Sequence, residues 1–131
     1  MYPMIYEDHL KDKPDILVEG TFKGYQFWIL SYGTHPCAYV ELPPKHPYYG
    51  KKIEEYFELP LDVHGGITFA RDRLWNLAKD TSIIGWDYAH CEDYMPCLKE
   101  LAPNLKKWTT NEIYEEIEDC INQLIEEQND D

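Results

Sequence analysis

Ile113, Ile117, Cys120, Ile121, Leu124 and Ile125 recur at spacings of three and four near the end of the chain. That period puts them on one stripe of an amphipathic helix, with Glu115, Glu116, Glu118 and Asp119 turned to water. Thr109-Thr-Asn-Glu112 precedes the stripe and matches a capping box, in which Thr109 and Glu112 satisfy each other's backbone amides. Acidic residues at its start suit the helix dipole, whereas Glu126 and Glu127 at its end do not, and the helix is expected to stop before a polar tail at 126–131.

Earlier in the chain the period shortens. ILVEG (16–20), GYQFWILSYG (24–33) and CAYVELP (37–43) are rich in aromatic and branched residues and are separated by short turns, which predicts an antiparallel meander. KHPYYGKKIEEYF (45–57) reads as a loop with one or two helical turns that use Ile53, Tyr56 and Phe57. A strand through Val63 and Ile67–Phe69, interrupted by two glycines, follows. Leu74, Leu77 and Ala78 share a helical face, so 71–80 reads as a short helix or as a strand extension. SIIGWDY (82–88) is a further buried strand, 89–108 a long loop, and 1–14 an arm or edge segment. Strands first and a packing helix last define a single α+β domain over 1–131, a small mostly antiparallel sheet packed against a C-terminal amphipathic helix.

Composition narrows the picture. With 44% hydrophobic and 15% aromatic residues among 131, the chain can fill one core and still line a groove. Its formal charge of −13 repels a phosphate backbone, so direct nucleic-acid binding is not expected. That surface serves solubility or acts as a decoy for a nucleic-acid-binding protein, and a small anion would need a local positive or metal patch within it. No apolar run reaches the roughly 20 residues that span a bilayer, and residues 1–15 are too polar for a signal peptide. Cys37, Cys91, Cys97 and Cys120 show no zinc-finger spacing and read as reduced thiols of a cytoplasmic protein.

Two stretches carry candidate chemistry. In VHGGITFA (63–70), Gly65 and Gly66 imply a bulge or the close approach of a ligand to bare backbone, with His64 on its rim. In GWDYAHCEDY (85–94), Asp87, His90 and Asp93 offer two carboxylates and an imidazole at intervals of three. Together, His64, Asp87, His90 and Asp93 would make a zinc, manganese or iron site. Without a metal, His64 or His90 could act as general base with Asp87 fixing its tautomer. Capping and turn formation are the structural alternatives for the acids, and a hydrogen-bonded histidine for His64. Arg71 is a candidate clamp for an anion, or a partner for surface acids, and Trp86 is core or packs on a ligand. His46, in a proline-stiffened loop beside Tyr48 and Tyr49, and His35, read as exposed and inert, are weaker candidates. No Walker motif, dinucleotide fingerprint, HExxH or nucleophile elbow is present.

The combination of YVELPPKHPYYG, VHGGITF, IIGWDYAHCEDY and the closing acidic helix resembles an uncharacterised family of small bacteriophage- and prophage-encoded proteins. Its members look like HGGxT(F/Y) followed by G(F/W)DxxHxxD, which His64, Gly65, Gly66, Thr68, Gly85, Asp87, His90 and Asp93 match. The resemblance implies a phage accessory protein in the bacterial host cytoplasm, acting in counter-defence or nucleotide chemistry. Two functions stay open. One is a His/Asp pocket, with His64, Asp87 and His90 catalytic and Gly65, Gly66, Arg71 and Trp86 touching ligand, for metal-assisted hydrolysis or binding of a small anionic or nucleotide ligand. The other is an acidic inhibitor of a host bacterial protein, with the cluster purely structural.

Overall fold

A five-stranded antiparallel sheet in the order β1-β2-β3-β5-β4 carries, among the described residues, one long helix on one face. It is seen in a computed structural model that describes residues 14–31, 35–88 and 109–129. Strands β1 (Asp15–Phe22), β2 (Tyr25–Ser31) and β3 (Pro36–Leu42) form the expected meander. A two-residue turn at Lys23-Gly24 joins the first pair, with Phe22 opposite Tyr25. β2 is apolar at nearly every position because both its faces are covered. Phe27 and Ile29 belong to the helix-side core, and Trp28 and Leu30 to a second cluster with Cys37, Tyr39, Leu74 and Ile83.

After Pro43 and Pro44 the chain runs through turns to a six-residue 3-10 helix, Ile53–Glu58, which buries Tyr56. Strands β4 (Phe69–Leu74) and β5 (Ala78–Asp87) then form a hairpin. One expectation is corrected here and one alternative decided. Residues 61–68 contain no strand, and 71–80 take the strand alternative, as the two arms and turn of the hairpin rather than a helix. The pairing skips register between Arg71 and Arg73, beside Asp80 in the left-handed region with φ 56°. That is a bulge on the inner strand of a sheet edge.

The helix, α1 (Thr110–Asn129), starts as the capping box requires. The Glu112 amide donates to Thr109 Oγ1 at 3.1 Å, and the Thr109 amide donates to Glu112 Oε1 at 3.1 Å. Ile113, Ile117, Cys120, Ile121 and Leu124 are fully buried against the sheet, each burial of an isoleucine or leucine stabilising by about 2 kcal/mol. The helix runs through 126–129, where a polar tail was expected, because the Tyr25 hydroxyl holds Gln128 at 3.0 Å. Glu116, expected in water, is half-buried and accepts from the Tyr88 hydroxyl. Gln123 clamps the Asp62 backbone, accepting from its amide at 2.7 Å and donating to its carbonyl at 2.8 Å.

Cys37 and Cys120 are buried free thiols, as their apolar neighbours suggest. Burial first, and then the Asp87 carboxylate, push Cys37 from 9.0 up to about 12. Burial also raises Cys120, helped by Asp119 and Glu116. An unfolded chain loses these protons near the ordinary thiol value while the folded chain keeps them. The stability they contribute is therefore full below about pH 9 and lost as pH rises toward 12. The urea midpoint should fall steadily across that window, less steeply in Cys37→Ala. Rapid iodoacetamide alkylation of Cys37 in the native protein at about pH 8 would contradict this.

Candidate functional site

The paired glycines belong to a turn, not to a strand. The Gly66 amide donates to the Val63 carbonyl at 3.0 Å, closing a four-residue turn with His64 and Gly65 at its tip. Gly65 has φ 71° and Gly66 φ 83°, conformations that any residue with a Cβ resists. Above Gly66 a Cβ would meet nothing within 4 Å, so conformation rather than space demands this glycine. Strand alternation therefore does not decide where His64 points. Val63 and Ile67 on either side are buried in the helix-side core, which anchors the turn and leaves the imidazole half-buried at the end of β5.

His64 lies flat on the ring of Tyr88, with centroids 4.8 Å apart and planes within 8° of parallel. Tyr88 follows the last residue of β5, and its amide donates to the Pro36 carbonyl at 3.1 Å. Trp86 Nε1–H donates to the Tyr88 hydroxyl at 3.0 Å, and that hydroxyl donates to the Glu116 carboxylate. The imidazole thus caps a buried polar chain that ties β5 to α1. Trp86 is 1% exposed and sits mainly in the core.

Asp87 alternates to the other face of the sheet. It pairs across β3 with Cys37, and the Thr68 hydroxyl donates to its Oδ2 at 3.4 Å. Here a pocket of about 160 Å³ opens, lined by Cys37, Tyr39, Thr68, Phe69, Trp86 and Asp87. Gly85, with no Cβ, lets the Tyr39 ring of the pocket wall lie against β5. Tyr39 and Phe69 flank it from β3 and β4, and their rings meet edge to face at 5.1 Å. Tyr39, Phe69 and Cys37 were not among the sequence candidates. The available signal was a glycine inside an otherwise bulky strand, which marks close approach of a neighbour.

The remaining candidates divide as follows. Arg71 is exposed on β4, with its guanidinium carbon 5.9 Å from the Phe69 centroid. It also borders a larger cleft of about 480 Å³ between the 50–54 segment and the β4–β5 bulge, shared with Lys51, Lys52, Asp72 and Ser82. His46 is a fastener. It is 3% exposed, its Nε2 sits 2.7 Å from the Leu124 carbonyl, and its Nδ1 accepts the Tyr48 amide at 2.9 Å. Those partners make Nε2 the protonated nitrogen. His35 is half-buried rather than exposed. His90 and Asp93, and with them the completed metal set, lie outside the described residues, as do Cys91 and Cys97.

Among the described residues, no three His, Cys, Asp or Glu side chains gather as a metal site, and no helix is long and apolar enough to cross a membrane. Comparison with protein-family models, curated proteins and solved structures finds no match.

Proposed function

We propose that this chain is a small-ligand-binding protein whose site is the pocket at the end of β5 where Thr68 and Asp87 come together, with the His64 turn on the helix side of the same strand end. The observation that carries the reading is the carboxylate of Asp87 on the wall of a pocket otherwise made of aromatic rings, a hydroxyl and a thiol. A few polar groups in a mainly apolar concavity fix a ligand's orientation, which is the usual composition of a binding site. The metal-assisted form asks more: His64, stacked on Tyr88 on the helix side, and Asp87, on the opposite face, would have to reach one zinc, manganese or iron ion around the end of β5 together with His90 and Asp93. The ion would lower the pKa of a bound water for hydrolysis of a small anionic or nucleotide ligand. The phage-family resemblance is compatible with either form, in an accessory protein of the host cytoplasm.

Elemental analysis of untagged protein tests the metal form. Stoichiometric zinc, manganese or iron, lost in His64→Ala and in His90→Ala, is the expected result for it. Metal-free protein from replete medium removes that form and leaves ligand binding.

A second reading has its own support. α1 carries Glu112, Glu115, Glu116, Glu118, Asp119, Glu126 and Glu127 with no lysine or arginine. An acidic rod of this kind suits docking on a host protein whose natural partner is nucleic acid, by electrostatic steering. Under that reading the His64–Tyr88–Glu116 chain serves only to hold the rod on the sheet.

A further inference from the structure

We propose that the His46 imidazole is a proton-operated latch on the cleft of about 480 Å³. Its neutral ring fastens the turns at 43–50 to α1, and its protonation releases the backbone at 48–50, whose Gly50 walls the cleft. The latch shares no residue with the pocket at the end of β5 and does not depend on what that pocket binds.

Both ring nitrogens are used, in opposite senses. Nε2–H donates to the Leu124 carbonyl of α1 at 2.7 Å, and Nδ1 accepts the Tyr48 amide at 2.9 Å. A second ring proton would sit on Nδ1 and face the Tyr48 N–H, donor against donor. The charged ring can therefore keep the helix but not the amide. Ring and Tyr48 are both buried, so the lost bond is made good only if the backbone moves out to water. Tight turns pass that movement on. The His46 carbonyl accepts the Tyr49 amide, the Tyr48 carbonyl accepts the Lys51 amide, and the Gly50 amide donates to Ser82 Oγ at 3.0 Å in the cleft.

Among the described residues, Tyr25 of β2 and Tyr48 meet the ring edge to face. Tyr56 of the 3-10 helix and Cys120 and Glu127 of α1 stand behind them, and Lys45 on the same turn is exposed. Burial raises Tyr25, Tyr56 and Cys120 and pushes Tyr48 up to about 12, so all four are neutral in mild acid. Glu127 accepts from the Tyr48 hydroxyl and, like the Leu124 carbonyl, favours a charged ring on the helix side. The bond that acid breaks is thus the one to the Tyr48 amide. The released form binds one proton more than the latched form. Acid therefore favours it, by up to about tenfold per pH unit below the ordinary imidazole range near about 6.5.

The test is amide exchange of the full chain, followed by NMR between about pH 7 and about pH 5, where ordinary carboxylates stay ionised. Protection factors of the Tyr48 and Gly50 amides should fall by up to about tenfold from roughly pH 6 to pH 5. Those of Ile29, Ala38 and Ile84 in the sheet should hold. His46→Asn can still accept the amide two residues on, as an Asx turn does, and takes up no proton. Its protection at Tyr48 and Gly50 should not change with pH, whatever its level. His46→Gln, which can donate to Leu124, makes the same comparison from the helix side. In the unsubstituted chain, the ring nitrogen shifts of His46 should report Nε2–H near neutrality and move over the same pH range in which protection falls. A ring that titrates while Tyr48 and Gly50 stay protected overturns the latch, as does an equal fall in the two variants. Level protection down to about pH 5, or a fall shared with the sheet, overturns it too.

Discussion

Replacing Gly85 with alanine is expected to lower stability by about 3 kcal/mol, and the melting temperature by roughly 10 °C. A Cβ at this position would lie 2.6 Å from Tyr39 Cδ1 and 2.7 Å from the Ala38 carbonyl oxygen. The carbonyl belongs to β3, in the middle of the sheet, and can move only by breaking the ladder between β3 and β5. The Tyr39 ring cannot swing aside cheaply either, because it is buried and braced edge to face by Phe69. Gly66→Ala is the control. It meets no atom but forces a left-handed residue, at a cost of about 1–2 kcal/mol. Urea denaturation followed by circular dichroism measures both. If the clash with Tyr39 is the cause, Tyr39→Leu and Gly85→Ala should be less than additive. A Gly85→Ala protein as stable as the parent would mean that the strands separate without penalty.

The same glycine shows what the sequence could and could not reveal. A helix with its own cap is a local object, so Thr109, Glu112 and the stripe from Ile113 to Leu124 could be read directly. The meander was legible because aromatic and branched residues are dense between turns. Residues 71–80 left helix and strand both open for a geometric reason. Leu74 and Ala78 sit at helical spacing, yet they face each other across the hairpin and pack, with Leu77, in the second apolar cluster. A tight hairpin brings positions four apart together just as a helical turn does. At 63–69, the buried Val63 and Ile67 imitated a strand, while two left-handed glycines made a turn.

The site was legible only where its residues are neighbours in sequence. Trp86 and Asp87 could be placed at the end of a strand. Cys37 and Tyr39 face that end solely through the register of β3 on β5, a property of pairing that no local pattern encodes. His46 is the extreme case. It reads as a histidine of a proline-stiffened loop, and its fastening partner, the Leu124 carbonyl, lies 78 residues further on. Single histidines are legible as chemistry; what they bind is decided by the distant element packed on them.

Trp86→Ala should be the most damaging of the substitutions considered, at about 4 kcal/mol. The indole is almost wholly buried between the sheet and α1, so its loss opens a cavity that a two-layer fold cannot collapse around. It also removes the donor to Tyr88, whose hydroxyl is passed on to Glu116 of the helix. Trp86→Phe separates the two effects. It keeps most of the packing, loses the Nε1–H, and should cost about 1–2 kcal/mol. Amide exchange across α1 gives the sharper readout, because a weakened tie to the sheet should deprotect the helix turn around Glu116 before β2 and β3 loosen. If Trp86→Ala left that turn as protected as in the parent, the Trp86–Tyr88–Glu116 chain would not be what fastens α1.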